Sequence, residues 1–130
     1  MSKRILIIDD EPDVLKLAAF RLKRWGYEIL TANDGQTGLE IIENERPDLV
    51  LLDLRLPNLD GVDVCRQVKN NEALKHIPII LFTATADIAV AETAKQVGAD
   101  GYIVKPFEPE QLLEKIQSVA GEPRKENART

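Results

Sequence analysis

Ile5-Leu6-Ile7-Ile8 follows Lys3-Arg4 and runs straight into Asp9-Asp10-Glu11 and then Pro12. Four consecutive branched aliphatic residues read as a strand buried on both faces. Proline is favoured in the first turn of a helix, so the chain is expected to leave that strand through an acidic turn and enter a helix. Four further runs repeat the pattern: Tyr27-Glu28-Ile29-Leu30-Thr31, Leu49-Val50-Leu51-Leu52, Ile79-Ile80-Leu81-Phe82 and Tyr102-Ile103-Val104. Four of the five are nearly unbroken apolar. The second alternates around Glu28, as an edge strand does. Helix-length segments separate them, which gives five βα units and an α/β class with a parallel sheet.

The intervening segments carry helical spacing. The first shows Val14, Leu17, Ala18, Leu22 and Trp25 at intervals of three and four and stops at Gly26. The second follows Asn33-Asp34-Gly35, uses Leu39 and Ile42, and is stopped by Pro47. The third follows Pro57-Asn58-Leu59-Asp60-Gly61 and carries Val62, Val64, Cys65 and Val68. The fourth runs from about Asp87 to Val97 on Ile88, Ala91, Ala94 and Val97, with Gly98 as its stop. The fifth, after Pro109, buries Leu112, Leu113, Ile116 and Val119 and ends at Gly121. Residues 1–121 are therefore expected to form one domain. Residues 122–130 are polar and read as a frayed tail or the start of a linker.

Composition fits this reading and removes several classes of function. The chain has 130 residues, 44% hydrophobic and 30% charged, enough for one buried core. No apolar run nears the roughly 20 residues of a membrane span, and Ile5–Ile8 is too short for a signal peptide. A single cysteine, Cys65, cannot form an internal disulfide, so a cytoplasmic location is expected. Seventeen basic against 22 acidic residues give a net charge of −5, which argues against direct nucleic-acid binding. The densest basic cluster, Arg21, Lys23 and Arg24, reads as a solvated helix face. The one histidine, His76, lies in a polar connection and reads as structural or exposed, and Cys65 as a small core residue.

In an open parallel sheet, ligands bind beyond the carboxyl ends of the strands, where the strand order reverses. The residues just after each run are Asp9, Asp10 and Glu11; Thr31, Ala32 and Asn33; Asp53; Thr83, Ala84 and Thr85; and Lys105 with Pro106 and Phe107. With a strand order 2-1-3-4-5, Asp9, Asp10 and Asp53 meet at the switch point. Three close carboxylates cannot all stay ionised without a cation, and an all-oxygen set completed by waters suits Mg²⁺. Lys105 adds a fixed positive charge and Thr83 a hydroxyl. An exposed aspartate so surrounded describes a receptor for a phosphoryl group, with the carboxylate as nucleophile. Each residue alone reads equally as a helix cap, a turn or a surface group. Their placement at the ends of separate strands, on one edge, is what carries weight.

The ordered set Ile7-Ile8-Asp9-Asp10-Glu11-Pro12, Leu51-Leu52-Asp53-Leu54-Arg55-Leu56-Pro57, Asp60-Gly61, Ile80-Leu81-Phe82-Thr83-Ala84 and Gly101-Tyr102-Ile103-Val104-Lys105-Pro106-Phe107 resembles the response-regulator receiver family. The resemblance implies a flavodoxin-like, doubly wound five-stranded sheet with five helices on both faces. It implies that Asp53 is the phosphoacceptor and takes its phosphoryl group from a phosphohistidine on a sensor histidine kinase or phosphotransfer protein. Asp9 and Asp10, with Asp53 and the backbone carbonyl of Arg55, match the Mg²⁺ ligands. Thr83, the backbone N–H of Ala84, and Lys105 match the groups that stabilise the phosphoryl oxygens, and the Lys105–Pro106 bond is commonly cis there. Thr83 and Tyr102 match a switch pair acting on the surface of helix four, strand five and helix five. Arg55 and Thr85 occupy positions that influence phosphoryl lifetime. The partner face is expected to include Leu15 and Phe20 on helix one and Val90 on helix four, and the state to be a monomer or a phosphorylation-dependent dimer. The chain is then a signalling switch, either a stand-alone regulator or one receiver of a longer protein. A Mg²⁺-dependent phosphohydrolase with an Asp nucleophile favours a second acid two residues beyond it, where Arg55 stands. A pseudo-receiver binding module is expected to lack one of the acidic pair, the acceptor or the lysine, and all are present.

Overall fold

The computed structural model describes residues 3–57, 59–96 and 98–120. Strands β1 (Arg4–Ile8), β2 (Glu28–Ala32), β3 (Leu49–Asp53), β4 (Ile79–Ala84) and β5 (Gly101–Lys105) alternate with helices α1 (Pro12–Arg24), α2 (Gly35–Glu45), α3 (Gly61–Lys69), α4 (Ile88–Gln96) and α5 (Pro109–Ala120). A 3₁₀ turn, Thr85–Asp87, leads into α4. All strand pairs are parallel, in the order β2-β1-β3-β4-β5. This is the doubly wound, flavodoxin-like arrangement.

Side chains alternate across a strand, and that period of two divides the core into two layers. Leu6, Ile8, Val50, Leu52, Ile79 and Leu81 face α2, α3 and α4, meeting Leu39, Ile42, Val64, Cys65, Val68, Ala91 and Ala94. Ile5, Ile7, Leu49, Leu51, Ile80 and Phe82 face α1 and α5, meeting Ala18, Leu22, Leu112 and Ile116. The central runs had to be apolar throughout because both faces are covered. Two helices are started by aspartates: Asp34 Oδ1 accepts the Thr37 N–H at 2.7 Å, and Asp60 Oδ1 accepts the Asp63 N–H at 3.1 Å.

Several expectations shift. β2 begins one residue late, because the Tyr27 N–H donates to the Leu22 carbonyl and closes α1, leaving Glu28 to start the strand opposite Arg4, with its N–H donating to the Lys3 carbonyl. The fifth run, read as buried on both faces, is the second edge strand, with Tyr102 and Val104 half-buried. Leu17, placed in the core stripe of helix one, is 63% exposed. The helix is rotated so that Leu15, expected on the partner face, packs with Ala19 on the α1/α5 layer instead. Helix two ends at Glu45, and Arg46 leaves it in the left-handed region at φ 50° just before Pro47. Buried Leu54, Leu56 and Leu74, outside every run and stripe, complete the α2–α4 layer. The expectations for Asn58, for Val97, and for Gly121 with the segment 122–130 lie outside the described residues.

Candidate phosphoryl and metal site

The carboxyl ends of β1 and β3 lie side by side, with Ile8 paired to Leu52, so the residue after each strand's last aliphatic is an aspartate in the same crevice. Asp9 has no exposed surface. Its Oδ1 accepts the Glu11 N–H at 2.9 Å and its Oδ2 accepts Lys105 Nζ at 2.9 Å. Asp53 closes β3 and is 8% exposed. The Arg55 N–H donates to its Oδ1 at 3.2 Å, and Lys105 Nζ lies 3.4 Å from its Oδ2. Asp10 stands exposed beside them, and one carboxylate oxygen from each of Asp9, Asp10 and Asp53 lies within 4.8 Å of the other two. Hard oxygen donors so grouped, with one open to solvent, are a donor set that fits a divalent cation such as Mg²⁺.

The electrostatics have a clear cause. Burial first, and the Asp9 charge second, push the Asp53 carboxyl from 3.8 up to about 6, against the opposing pull of Lys105 and the Arg55 amide. Burial works against the Lys105 ammonium as well. Its hydrogen bond to Asp9 and the charges of Asp53 and Asp9 outweigh that cost and hold it above its ordinary value. Lys105 also reaches Glu11 Oε1 at 3.3 Å and sits 5.7 Å from the centre of the Phe82 ring. One cation thus serves three carboxylates. Its backbone makes a cis peptide bond to Pro106.

Thr83 sits one residue beyond Phe82, the strand partner of Asp53, and is buried. Its hydroxyl donates to the Ala84 carbonyl at 3.1 Å rather than to Asp53. Tyr102 is half-buried, and its hydroxyl donates to Glu92 Oε2 on α4 at 2.7 Å, which raises the phenol's pKa. The Arg55 side chain, 67% exposed, turns to Asp87 in a two-pronged pair, Nη2 to Oδ1 at 2.6 Å and Nε to Oδ2 at 3.1 Å.

The expected partner face does not form one patch. α1 and α4 belong to opposite layers of the sheet, so Phe20, 57% exposed, and Val90, 39% exposed, cannot be contiguous. Leu15 is turned inward. What α1 does offer is exposed Leu17, which borders an apolar groove of about 450 Å³ formed with Pro106, Phe107 and Leu112 and reaching Lys105. Sequence pattern assigns no role to Glu11, Asp87 or Glu92. Glu11 adjoins the acidic pair, and that adjacency was the available signal; the contacts of Asp87 and Glu92 depend on loop and helix paths that spacing does not reveal.

A response regulator receiver domain model matches residues 5–117. The alkaline phosphatase synthesis transcriptional regulatory protein PhoP of Bacillus subtilis is 37% identical over 119 residues, 92% of this chain and 49% of that protein. The DNA-binding response regulator MtrA of Mycolicibacterium smegmatis is 36% identical over 118 residues, 91% of this chain and 50% of that protein. The chain spans about half the length of these curated relatives. Chemotaxis protein CheY4 of Vibrio cholerae superposes with a TM-score of 0.85 at 31% identity, covering 92% of this chain and 99% of that structure.

Proposed function

The chain belongs to the response-regulator receiver family, and on that premise we propose that Asp53 is the residue phosphorylated in two-component signalling. The single observation that carries this reading is the convergence of Asp9, Asp10 and Asp53 within 4.8 Å beside the Lys105 ammonium. A Asp53 carboxylate oxygen attacks the phosphorus of a partner's phosphohistidine. The N–P bond breaks, its electron pair stays with the imidazole, and an acyl phosphate forms on Asp53. At neutral pH the Asp53 carboxyl, at about 6, is mostly in its nucleophilic, ionised form. Mg²⁺, held by the carboxylates of Asp9, Asp10 and Asp53 and the Arg55 backbone carbonyl, would neutralise the phosphoryl oxygens and relieve the carboxylate crowding. Lys105 supplies a second fixed positive charge to those oxygens. The Thr83 hydroxyl, once turned from the Ala84 carbonyl, and the Ala84 N–H supply donors.

The phosphohistidine donor, a sensor histidine kinase or phosphotransfer protein, docks along Leu17 and Phe20 of α1 and the groove at Pro106–Phe107. That groove is continuous with Lys105, so a donor seated there is beside the acceptor. Domain limits of 1–121, a cytoplasmic location, and an output through the α4–β5–α5 surface complete the reading. Among the described residues no helix is long and apolar enough to cross a membrane. Incubation with acetyl phosphate is expected to add one phosphoryl mass in Mg²⁺ and none in excess chelator. Equal labelling with and without the cation would contradict the proposed role of the acidic cluster.

A further inference from the structure

The Arg55 guanidinium stands between two groups. Its own backbone N–H holds Asp53 Oδ1, yet its side chain leaves Asp53 and forms the two-pronged pair with Asp87. Asp87 ends the 3₁₀ turn Thr85–Asp87 that leads into α4. The pair therefore ties the segment after β3 to the segment after β4, on the two sides of the candidate acceptor. The charge of Asp60 also favours the cation, so the Arg55 side chain faces Asp87 and Asp60 while its backbone N–H holds Asp53.

α4 depends on such ties. Among its described side chains only Ala91 and Ala94 are fully buried, and each contributes a single methyl group. Its Glu92 side chain adds a second polar tie, accepting the Tyr102 hydroxyl at 2.7 Å. An exposed ion pair is weak in itself, and a weak tie is one that a stronger competitor can displace.

A phosphoryl group on Asp53 is that competitor. It brings close to two negative charges and three acceptor oxygens, against one charge and two oxygens on Asp87, to a guanidinium whose fork binds either group bidentately. We propose that Arg55 exchanges partners on phosphorylation, leaving Asp87 for the phosphoryl group and so releasing the Thr85–Asp87 turn and the start of α4. This rests on Asp53 being the acceptor. Arg55 acts as a positioning residue for α4 in the resting chain and as a phosphoryl-holding residue afterwards. The differential interaction of Arg55 with the two states biases the shift, as any ligand-biased equilibrium requires.

Amide deuterium uptake over residues 85–92 tests the exchange, in wild type, Asp87→Ala and Arg55→Ala, each before and after acetyl phosphate with Mg²⁺. Intact mass follows phosphoryl incorporation in the same samples. Both unphosphorylated variants are expected to exchange about two- to five-fold faster than wild type in this segment, with uptake in β1 and β3 unchanged. Phosphorylated wild type should move to the same faster uptake, and phosphorylated Asp87→Ala should move little further. Wild-type uptake in unphosphorylated Asp87→Ala overturns the tie. A wild type that gains the phosphoryl mass with no change over 85–92 overturns the partner exchange while leaving Asp53 as acceptor. A wild type that gains no phosphoryl mass overturns the acceptor assignment and the exchange with it.

Discussion

Asp53 occupies a position that disfavours its own charge. It is nearly buried, faces Asp9, and lies under helix α3 at a distance only glycine allows: a Cβ on Gly61 would sit 2.5 Å from the Asp53 carbonyl oxygen. The carboxyl's rise from 3.8 to about 6 has a consequence for stability. Between those two values the folded chain holds a proton that the unfolded chain has already released. Stability therefore falls as pH rises through that window, and the full penalty is present above it. Asp53→Asn carries no charge at any pH. Without divalent cations it is predicted to stabilise the fold above pH 6, by on the order of 1–3 kcal/mol, and to be nearly neutral at and below pH 4. Thermal melts of both proteins across pH 4–8 measure this; a gain as large at pH 4 as at pH 8 would mean the charge is not its source. The strand-end acids and Lys105 were legible in the sequence because each directly follows an apolar run, and strand ends in a parallel sheet share an edge. Asp87 was not legible, because its contact depends on how two loops bend toward each other.

Helices α1 and α4 differ in what holds them. α1 buries Leu22 and Ala18 and packs Leu15, Ala19 and Trp25 against the same layer, yet leaves Leu17 and Phe20 outside, with the Arg24 guanidinium 5.6 Å from the Phe20 ring centre. Spacing misassigned Leu17 because Leu15 and Leu17 flank the same stripe, and only packing against α5 decides the rotation. Phe20→Asp and Leu17→Asp are predicted to slow phosphotransfer from the cognate kinase by about tenfold or more, the loss expected of an aromatic or aliphatic anchor in an interface. Labelling by acetyl phosphate should be unchanged; equal slowing of both reactions would place the damage in the fold. For α4, phosphorylation is expected to free Tyr102 from Glu92 and turn the ring inward. The chain has two tyrosines, Tyr27 and Tyr102, so 3-fluorotyrosine labelling gives two ¹⁹F resonances. With Mg²⁺ and beryllofluoride, only the resonance removed by Tyr102→Phe should shift. A shift confined to the Tyr27 resonance, or none, would count against this switch.

At the scale of the whole molecule, the parallel sheet was readable because helix-length segments separate the runs, whereas the order 2-1-3-4-5 is what the family resemblance implies. An apolar run such as Tyr102-Ile103-Val104 implies two buried faces, yet the strand order puts β5 at an edge, with Tyr102 beside α4 and half-buried. Of the residues expected on a partner face, only Phe20 stands exposed on α1: Leu15 packs inward against the α1/α5 layer, and Val90 lies on α4, across the sheet from the groove. The sheet also explains how distant segments form one site. Asp9, Asp53, Thr83 and Lys105 are separated in sequence and become neighbours because four parallel strands end together. The most direct measurement of the central claim is therefore chemical. An aspartyl phosphate is reduced by borohydride to homoserine, which marks its position permanently. After acetyl phosphate and Mg²⁺, peptide mass spectrometry should find homoserine at residue 53 alone. Homoserine at residue 9 or 10, or none despite a gain of phosphoryl mass, would contradict the account.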